Sequence, residues 1–328
     1  MAQKIALLFP GQGSQTVGML NELLESSDIV KATFAEASTA LGYDLADLVL
    51  NGPEEKLNQT HRTQPALLTA SVAIYRHWLA ANPDADVVMA GHSLGEYSAL
   101  VCSDVISLSE AVKLVENRGL YMQEAVPAGV GSMAAIIGLG DDEIKAACEA
   151  SAQGEVVSPV NYNSPGQVVI AGHKDAVDRA SVACKEAGAK RALPLSVSVP
   201  SHCELMKPAA EKLAADLAAL IFNSPKCDVI NNVDVKAEGS ADAIKDALVR
   251  QLYSPVRWTE TVQALVAQGV TQSYEFGPGK VLIGLAKRIH TKLGVCVYPK
   301  DSRVILDQLA YPVFGITGIW QVKLALQA

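Results

Sequence analysis

The sequence predicts an α/β protein in which a small antiparallel subdomain is inserted into a larger domain built on a parallel sheet. Strand and helix patterns alternate through the first half of the chain, which favours parallel strands with helices on the faces of the sheet. Residues 91–95 read Gly-x-Ser-x-Gly between a predicted strand and a predicted helix, as in the nucleophile elbow of α/β-hydrolases. After residue 127 the predicted order becomes β-α-β-β-α-β, that of ferredoxin-like folds. We therefore expect an α/β-hydrolase-like large domain, residues 1–127 and 203–328, and an inserted ferredoxin-like subdomain, residues 128–202.

The predicted elements of the first half begin with a buried strand. Ile5 to Phe9 is a continuous apolar run that ends at a glycine-containing turn, and Val87 to Ala90 is a second apolar run directly before the elbow. Apolar residues at helical spacing predict three helices around these strands: Ile29–Leu41, Gln64–Leu79 and Ser109–Gln123.

A change in the sequence pattern at the glycine-containing segment Pro127–Gly131 marks the start of the insert. Its predicted elements are the strand Met133–Ile137, the helix Asp141–Ser151, the strands Val156–Val160 and Gln167–Ala171, the helix Asp175–Ala187 and the strand Arg191–Val197. The large domain resumes with the helix Glu204–Ile221 and is completed by the segments Val229–Asn231, Val256–Ala267, Gln272–Phe276 and Val281–His290.

Composition excludes several classes of function. The 328 residues carry a formal net charge of −8 and contain no basic run, so we expect no nucleic-acid partner. The six cysteines have no C-x-x-C spacing, which argues against a zinc site or a disulfide framework and favours a reducing compartment. The N-terminal apolar run is too short for a signal peptide, and no uncharged run approaches the length of a membrane span. These features predict a cytoplasmic protein with no membrane partner.

The elbow makes Ser93 the predicted nucleophile. The strand–turn–helix geometry lifts its hydroxyl out of the sheet and directs the N–H of Leu94 toward any oxyanion formed there. The hydroxyl needs a general base near neutral pH, and six histidines are available. His92 adjoins Ser93, and neighbouring side chains at a turn diverge, so its predicted role is structural. His202 lies in a loop at the seam between insert and large domain, where sites are built, although its position alone leaves the choice open.

Several motifs, the elbow among them, point to one family. They are FPGQGSQ at Phe9–Gln15, TQPALL at Thr63–Leu68, GHSLGEYSAL at Gly91–Leu100, ENRG around Arg118, NYNSPGQVVIAG at Asn161–Gly172, VPSH at Val199–His202, QLYSPVRW at Gln251–Trp258 and EFGPGKVL at Glu275–Leu282. In these motifs the chain resembles the malonyl-CoA:acyl carrier protein transacylases of bacterial fatty acid synthesis. The resemblance runs from Ile5 to about Arg288.

The resemblance implies a catalytic dyad and an oxyanion hole. Ser93 would take the malonyl group as an ester, and His202 would be its general base. In this family a backbone carbonyl, here that of Gln251, holds the imidazole in place of a triad carboxylate. The backbone N–H groups of Gln12 and Leu94 match the family's oxyanion hole.

The resemblance also implies a set of substrate-binding residues. Arg118 matches the arginine that holds the malonyl carboxylate, for which its planar guanidinium is suited. Gln64 matches a pocket residue near that carboxylate. Asn161 and Asn163 match a segment of the small subdomain that faces the thioester donor, and Ser201 lies beside the base, where it would shape the acyl pocket.

The implied reaction is a ping-pong transfer with malonyl-CoA as donor and holo acyl carrier protein as acceptor. It needs no metal and no tightly bound cofactor, and we expect a monomer. Because the carrier protein is acidic and so is this chain, we predict a local basic rim for docking. The candidate residues are Lys190, Arg191, Lys280, Lys287 and Arg288.

The resemblance fades in the C-terminal segment, and residues 289–328 are predicted to be an atypical tail that catalysis does not need. Leu309 to Trp320 is nearly uncharged in this segment. Three other functions fit parts of the pattern. They are a serine hydrolase, a related transacylase that serves another donor or carrier such as that of polyketide synthesis, and a non-catalytic scaffold that keeps the fold.

Overall fold

In the computed structural model of the protein, the structure describes residues 4–195 and 199–298. The strands of the described residues are β1 (Ile5–Phe9), β2 (Val87–Gly91), β3 (Gly131–Ile137), β4 (Val157–Ser164), β5 (Gln167–His173), β6 (Arg191–Pro194), β7 (Val229–Ile230), β8 (Gln272–Phe276) and β9 (Gly294–Tyr298). The α-helices are α1 (Asn21–Ser26), α2 (Asp28–Leu41), α3 (Leu45–Asn51), α4 (Glu54–Leu57), α5 (Thr60–Ala81), α6 (Leu94–Cys102), α7 (Leu108–Ala125), α8 (Asp141–Ser151), α9 (Lys174–Glu186), α10 (Lys207–Ala219), α11 (Ala241–Gln251), α12 (Trp258–Ala267) and α13 (Val281–Ile289). A short 3₁₀ turn at Glu204–Met206 precedes α10.

A five-stranded sheet in the order β7-β2-β1-β8-β9 forms the large domain. Every neighbouring pair in it is parallel, which confirms the α/β class predicted from the alternating pattern. On one face, Ala6 and Leu8 of β1 pack into a buried apolar cluster with residues of α12 and α13. Because β1 and β2 are neighbours, the turn after β1 and the elbow after β2 lie side by side at the carboxyl edge of the sheet. That edge is where open α/β sheets bind ligands.

The insert forms a separate four-stranded sheet in the order β4-β5-β3-β6. All of its strand pairs are antiparallel, and the chain runs β3-α8-β4-β5-α9-β6 through it. The order of elements and of strands is that of a ferredoxin-like fold, as predicted. Apolar side chains of both helices and of the sheet make its own buried core.

Main-chain groups of strand β4 of the insert bond to the large domain around Val256. The N–H of Val256 donates to the carbonyl of Val160 over 2.8 Å, and the N–H of Tyr162 donates back to the carbonyl of Val256 over 3.0 Å. The hydroxyl of Thr259 adds a bond to the carbonyl of Tyr162 over 3.0 Å. These bonds hold the Asn161 segment against the residues that join α11 to α12.

The structure moves the start of the atypical tail. Residues 294–298, which the sequence analysis assigned to the tail, form β9, and β9 pairs with β8 over five positions from Gln272↔Gly294 to Phe276↔Tyr298. Removing the chain after Arg288 would therefore delete an edge strand of the main sheet, so the segment predicted to be dispensable for catalysis includes residues of the described fold. The run Leu309–Trp320 and the last residues of the predicted strand Arg191–Val197 lie outside the described residues.

Within the described residues no helix is both long and apolar enough to span a bilayer.

Candidate active site

The elbow forms where β2 meets α6. Ser93 stands between them with φ 53° and ψ −109°, a strained conformation for a residue with a side chain. The flanking glycines are required by close backbone approach. A Cβ on Gly91 would overlap the backbone of Gly95, and a Cβ on Gly95 would overlap the carbonyl of Phe9 in β1. The tight turn leaves the Ser93 side chain at the surface of the cleft.

Ser93 and His202 are in hydrogen-bond contact although 109 residues separate them. The Oγ of Ser93 lies 2.8 Å from Nε2 of His202, and Nδ1 of His202 lies 2.8 Å from the backbone carbonyl oxygen of Gln251. A carbonyl only accepts hydrogen bonds, so the proton of a neutral imidazole sits on Nδ1 and leaves Nε2 free to accept from the serine. Gln251 is the last residue of α11, and a carbonyl at a helix end has no partner within its own helix.

The imidazole of His202 is kept neutral by its surroundings. Its burial, and next the positive charge of Arg118, lower the pKa of His202 to about 3, against an ordinary value of 6.5, although the bond to Gln251 opposes the shift. The backbone of His202 is itself in the left-handed region, with φ 65°, and its N–H donates to the carbonyl of Leu252 over 3.0 Å. The ring is therefore presented to Ser93 as a fixed base without a proton on Nε2.

This neutral base predicts a flat pH profile for the nucleophile. We expect the rate at which Ser93 reacts with a serine-directed fluorophosphonate to stay constant from about pH 8 to about pH 5, because His202 remains unprotonated over that range. A histidine titrating at its ordinary value of 6.5 would instead lose half of the rate at that pH. Intact-protein mass measures the rate, and circular dichroism at each pH checks that the protein stays folded. A half-maximal rate near pH 6.5 would contradict the prediction.

The backbone N–H groups of Gln12 and Leu94, which the resemblance implies as an oxyanion hole, belong to residues that line the cleft. Leu94 is the first residue of α6, and an N–H at a helix start has no acceptor within its own helix. Gln12 lies in the turn after β1, beside the elbow, and both residues line the cleft. The Gln12 side chain reaches away to the hydroxyl of Thr60 over 3.4 Å. Both N–H groups can thus serve a negative charge that develops next to Ser93.

Arg118 reaches the nucleophile from α7. Its side chain is 1% exposed. Nη1 donates to Oε1 of Gln64 over 2.8 Å, and Nη2 lies 3.1 Å from Oε1 of Gln251 and 3.3 Å from Oγ of Ser93. The guanidinium also stands 5.3 Å from the ring centre of Tyr97. Neutral groups hold Arg118 on several sides, and it remains part of the cleft lining.

Arg118 is a buried cation, and no carboxylate of the described residues lies at ion-pair distance from it. Among the described residues, none of the salt bridges includes it, and its Nε has no hydrogen-bond partner. A buried charge is costly unless an opposite charge or hydrogen bonds compensate it. Its burial lowers the pKa of Arg118. The site therefore favours a ligand that brings its own negative charge within reach of both Arg118 and Ser93.

The small subdomain supplies the opposite wall of a cleft of about 570 Å³. The lining includes Asn161, Asn163 and Ser201, for which the resemblance implies contact with the substrate. Oδ1 of Asn163 lies 2.8 Å from Nε2 of His92, whose pKa is lowered by burial. Gln64 is buried and contacts two lining residues, since its Oε1 accepts from Arg118 over 2.8 Å and its Nε2 donates to Sδ of Met122 over 3.6 Å. Within the described residues, no cluster of three or more His, Cys, Asp or Glu is arranged to hold a metal ion.

Two buried residues that the sequence analysis missed complete the site. Oδ1 of Asn232 accepts from the N–H of Ser93 over 2.7 Å, and its Nδ2 donates to the carbonyl of Gly91 over 2.7 Å. Oε2 of Glu96 accepts from the N–H of Asn232 over 2.9 Å and from Nε2 of Gln251 over 2.8 Å. A glutamate within the otherwise apolar start of α6 was the available signal for this network.

Comparison with known proteins gives consistent matches along nearly the whole chain. The acyl transferase domain family matches residues 6–285. The chain is 67% identical over 286 residues to the malonyl CoA-acyl carrier protein transacylase of Escherichia coli (strain K12). The aligned residues are 87% of this chain and 93% of that protein. The crystal structure of an acyl carrier protein S-malonyltransferase from Vibrio cholerae aligns with a TM-score of 0.91 at 64% identity, covering 94% of this chain and all of that one. A malonyl-transacylase in complex with its type II PKS acyl-carrier protein aligns with a TM-score of 0.91 at 60% identity, covering 92% of this chain and 98% of that one.

Proposed function

Since the chain belongs to the acyl transferase domain family, we propose that it transfers a malonyl group from malonyl-CoA to the phosphopantetheine thiol of acyl carrier protein for fatty acid synthesis. One observation carries the proposal. A nucleophile–base pair, Ser93 with His202 at 2.8 Å, shares the cleft with Arg118, a buried cation 3.3 Å from the same hydroxyl. The pair can form an acyl ester, and the cation selects an acyl group that carries a carboxylate.

In the first half-reaction, Oγ of Ser93 attacks the thioester carbonyl while its proton passes to Nε2 of His202. The N–H groups of Gln12 and Leu94 bind the oxyanion of the tetrahedral intermediate, and each donor contributes about 3 kcal/mol to such stabilisation. As the intermediate collapses, the C–S bond breaks and the sulfur of CoA takes the proton from His202. The products are a malonyl ester on Ser93 and free CoA.

The second half-reaction uses the same groups in the reverse direction. The phosphopantetheine thiol gives its proton to His202, and its sulfur attacks the ester carbonyl. The bond to Oγ of Ser93 breaks, and the serine takes the proton back from His202. Throughout, Arg118 holds the distal carboxylate with charge-assisted bonds, which an acetyl group cannot form.

The direct test is the intact mass of the protein after mixing with malonyl-CoA, and again after adding holo acyl carrier protein. We expect a malonyl adduct that persists until the carrier is added and then moves to the carrier. An adduct that decays equally fast without the carrier would make the protein a hydrolase. No adduct at all would favour the scaffold alternative.

We place carrier docking at the basic rim predicted from the sequence. All five of its residues are exposed: Lys190, Arg191, Lys280, Lys287 and Arg288. Two contacts support their grouping. Arg288 of α13 donates to the side chain of Gln167, and Ile137 of β3 lies in register between Gln167 and Arg191. Adjacent strands are about 4.8 Å apart, so Arg191 lies roughly 10 Å from the residue that Arg288 contacts.

Charge reversal tests this docking surface. We expect the double change Lys190→Glu and Lys287→Glu to raise the KM for the carrier about tenfold and to leave the KM for malonyl-CoA unchanged, because exposed charges contribute about 0.5–1 kcal/mol each. Arg288 is left intact since it contacts Gln167. The matched control is Lys31→Glu with Lys113→Glu, an equal change of charge on α2 and α7. Equal increases in both KM values, or an equal effect of the control, would reject the surface.

We also infer a cytoplasmic monomer. All six cysteines are free, which supports a reducing compartment. Each group used in the proposed mechanism comes from a single chain, so a second copy is not needed to complete the site.

A further inference from the structure

We propose that Glu96 is a positioning residue that fixes the side-chain amide of Gln251 and, through it, the orientation of Arg118 toward the acyl group. This inference rests on the proposed function, because it assigns Glu96 a share in selecting an acyl group that carries a carboxylate. Glu96 acts from outside the cleft, through two other side chains.

Glu96 is held in one place by its own contacts. It is the third residue of α6 and is 2% exposed. A single oxygen, Oε2, accepts from both Nε2 of Gln251 at 2.8 Å and the N–H of Asn232 at 2.9 Å. The backbone N–H of Asn232 is fixed by the chain, so the carboxylate has a rigid donor on one side and the amide on the other.

These contacts determine which way the amide of Gln251 points. Its Nε2 has two acceptors, Oε2 of Glu96 and the carbonyl of Ser93 at 3.1 Å. Its Oε1 has one donor, Nη2 of Arg118 at 3.1 Å. A flipped amide would set its NH₂ group against the guanidinium, which has only donors, and its oxygen against Oε2, which already acts as an acceptor. The acceptor on Glu96 therefore keeps a hydrogen-bond acceptor facing Arg118.

The network also links two buried charges of opposite sign. The amide of Gln251 bridges the guanidinium of Arg118 and the carboxyl group of Glu96. Burial raises the pKa of Glu96 to about 7, and the bonds from Gln251 and Asn232, followed by the charge of Arg118, act against that rise. Among the described residues, no carboxylate lies within ion-pair distance of Arg118. Glu96 therefore interacts with the guanidinium through the oriented amide of Gln251.

Gln251 holds the base of the dyad by its main chain, whereas its side chain donates to the backbone carbonyl of Ser93 and not to the Ser93 hydroxyl. Its carbonyl holds Nδ1 of His202, and its side chain holds Arg118. Loss of the Glu96 acceptor should release the side chain while the end of α11 keeps the carbonyl in place. The expected defect is therefore in the use of a carboxylated acyl group, and the reactivity of Ser93 itself should be kept.

The test compares two reactions of Ser93 in purified full-length protein. Malonyl-CoA requires the carboxylate contact of Arg118, and a serine-directed fluorophosphonate does not. For Glu96→Met, which keeps the volume and removes the acceptor, we expect malonylation to slow at least about tenfold and phosphonylation to stay within about twofold of wild type. For Glu96→Gln, which keeps an acceptor oxygen for both donors, we expect malonylation within about threefold of wild type.

Glu275→Met is the matched control. Glu275 is also a fully buried carboxylate that accepts from two backbone N–H groups, those of Leu282 and Ile283, at 3.1 and 3.0 Å. Its contacts lie at the start of α13, outside the Gln251 network. We expect its loss to leave the ratio of the two rates at the wild-type value, so that a general effect of losing a buried acceptor is separated from the effect at Glu96.

Gln251→Met tests the contact between Glu96 and Gln251 by changing the other residue. It provides the test of the proposal if Glu96→Met does not fold. It removes the amide and keeps the main-chain carbonyl, so it should lower the ratio of malonylation to phosphonylation as Glu96→Met does. In the Gln251→Met background, Glu96→Met should add no further loss.

A wild-type ratio in Glu96→Met or in Gln251→Met would overturn the proposal. The proposal would also be overturned if Glu96→Gln lowered the ratio of malonylation to phosphonylation as much as Glu96→Met does. The decrease would then come from loss of the charge and not from loss of the acceptor. A wild-type protein that malonyl-CoA fails to acylate would overturn the proposed function instead, which keeps the two failures apart.

Discussion

Replacing Ser93 with alanine is expected to abolish the malonyl adduct and to lower transfer to the carrier by roughly five to six orders of magnitude. In the proposed mechanism the ester forms on this hydroxyl, which lies 2.8 Å from Nε2 of His202. In serine enzymes, loss of the nucleophile removes nearly all catalysis, and what remains comes from binding and the oxyanion hole. Intact mass after mixing with malonyl-CoA measures the adduct, and carrier-dependent release of CoA measures transfer.

Ser98→Ala is the matched control for this substitution. Ser98 lies in α6, the helix that follows Ser93, and its buried hydroxyl has no hydrogen-bond partner among the described residues, so its removal should leave both measurements near wild type. Adduct formation in Ser93→Ala at a rate comparable to wild type would show that another residue accepts the malonyl group.

Replacing Arg118 with leucine is expected to lower kcat/KM for malonyl-CoA by about thirtyfold to a few thousandfold. Losing one partner of a buried charge pair costs about 2–5 kcal/mol, and the substrate carboxylate would be left without its cation. The rate with acetyl-CoA, which brings no carboxylate, should change by less than about tenfold. Acylation of Ser93 by each donor, followed by intact mass, gives both values.

Arg118→Lys separates charge from geometry. A lysine keeps the charge but lacks the planar fork that bonds Gln64 and Gln251 together. We expect the rate of malonylation to lie between the rates of the wild type and of Arg118→Leu. Equal losses with both donors in Arg118→Leu would indicate damage to the cleft and would contradict a role in selecting the acyl group. Phosphonylation of Ser93 reports whether the dyad survives in each variant.

The parts of the site written in consecutive residues could be predicted from the sequence. The elbow lies within five residues after an apolar run, so its pattern alone predicts Ser93 and the N–H of Leu94. Resemblance to a family was needed for His202, Arg118 and Gln251, because their meeting with Ser93 depends on how the chain folds over distances of 25 to 158 residues. Local patterns carry no information about such contacts.

Among the elements that were not predicted, helix α11 and strand β9 were missed for different reasons. Helix α11 has a visible signal, with Ser240 as its N-cap and apolar residues at helical spacing, and the sequence analysis left it out. Strand β9 is a short apolar run in a segment that the resemblance did not reach, so nothing distinguished it from the tail before β8 was seen beside it. Asn232 follows β7, and its contact with Glu96 across 136 residues depends on the order of the strands.

The carbonyl of Gln251 that holds His202 has a consequence for how long the acyl-enzyme lives. A neutral partner gives the imidazolium less support than a carboxylate would, and burial weakens the base further, to a pKa of about 3. A thiol with a pKa of about 8.5 is a far stronger acid than water, whose pKa is about 15.7, so the thiol needs far less help from the base to become a nucleophile. We therefore expect the malonyl ester to survive in solvent until a thiol arrives, and its half-life without the carrier measures this discrimination. A single main-chain oxygen in place of an acidic side chain would thus separate a transferase from an esterase.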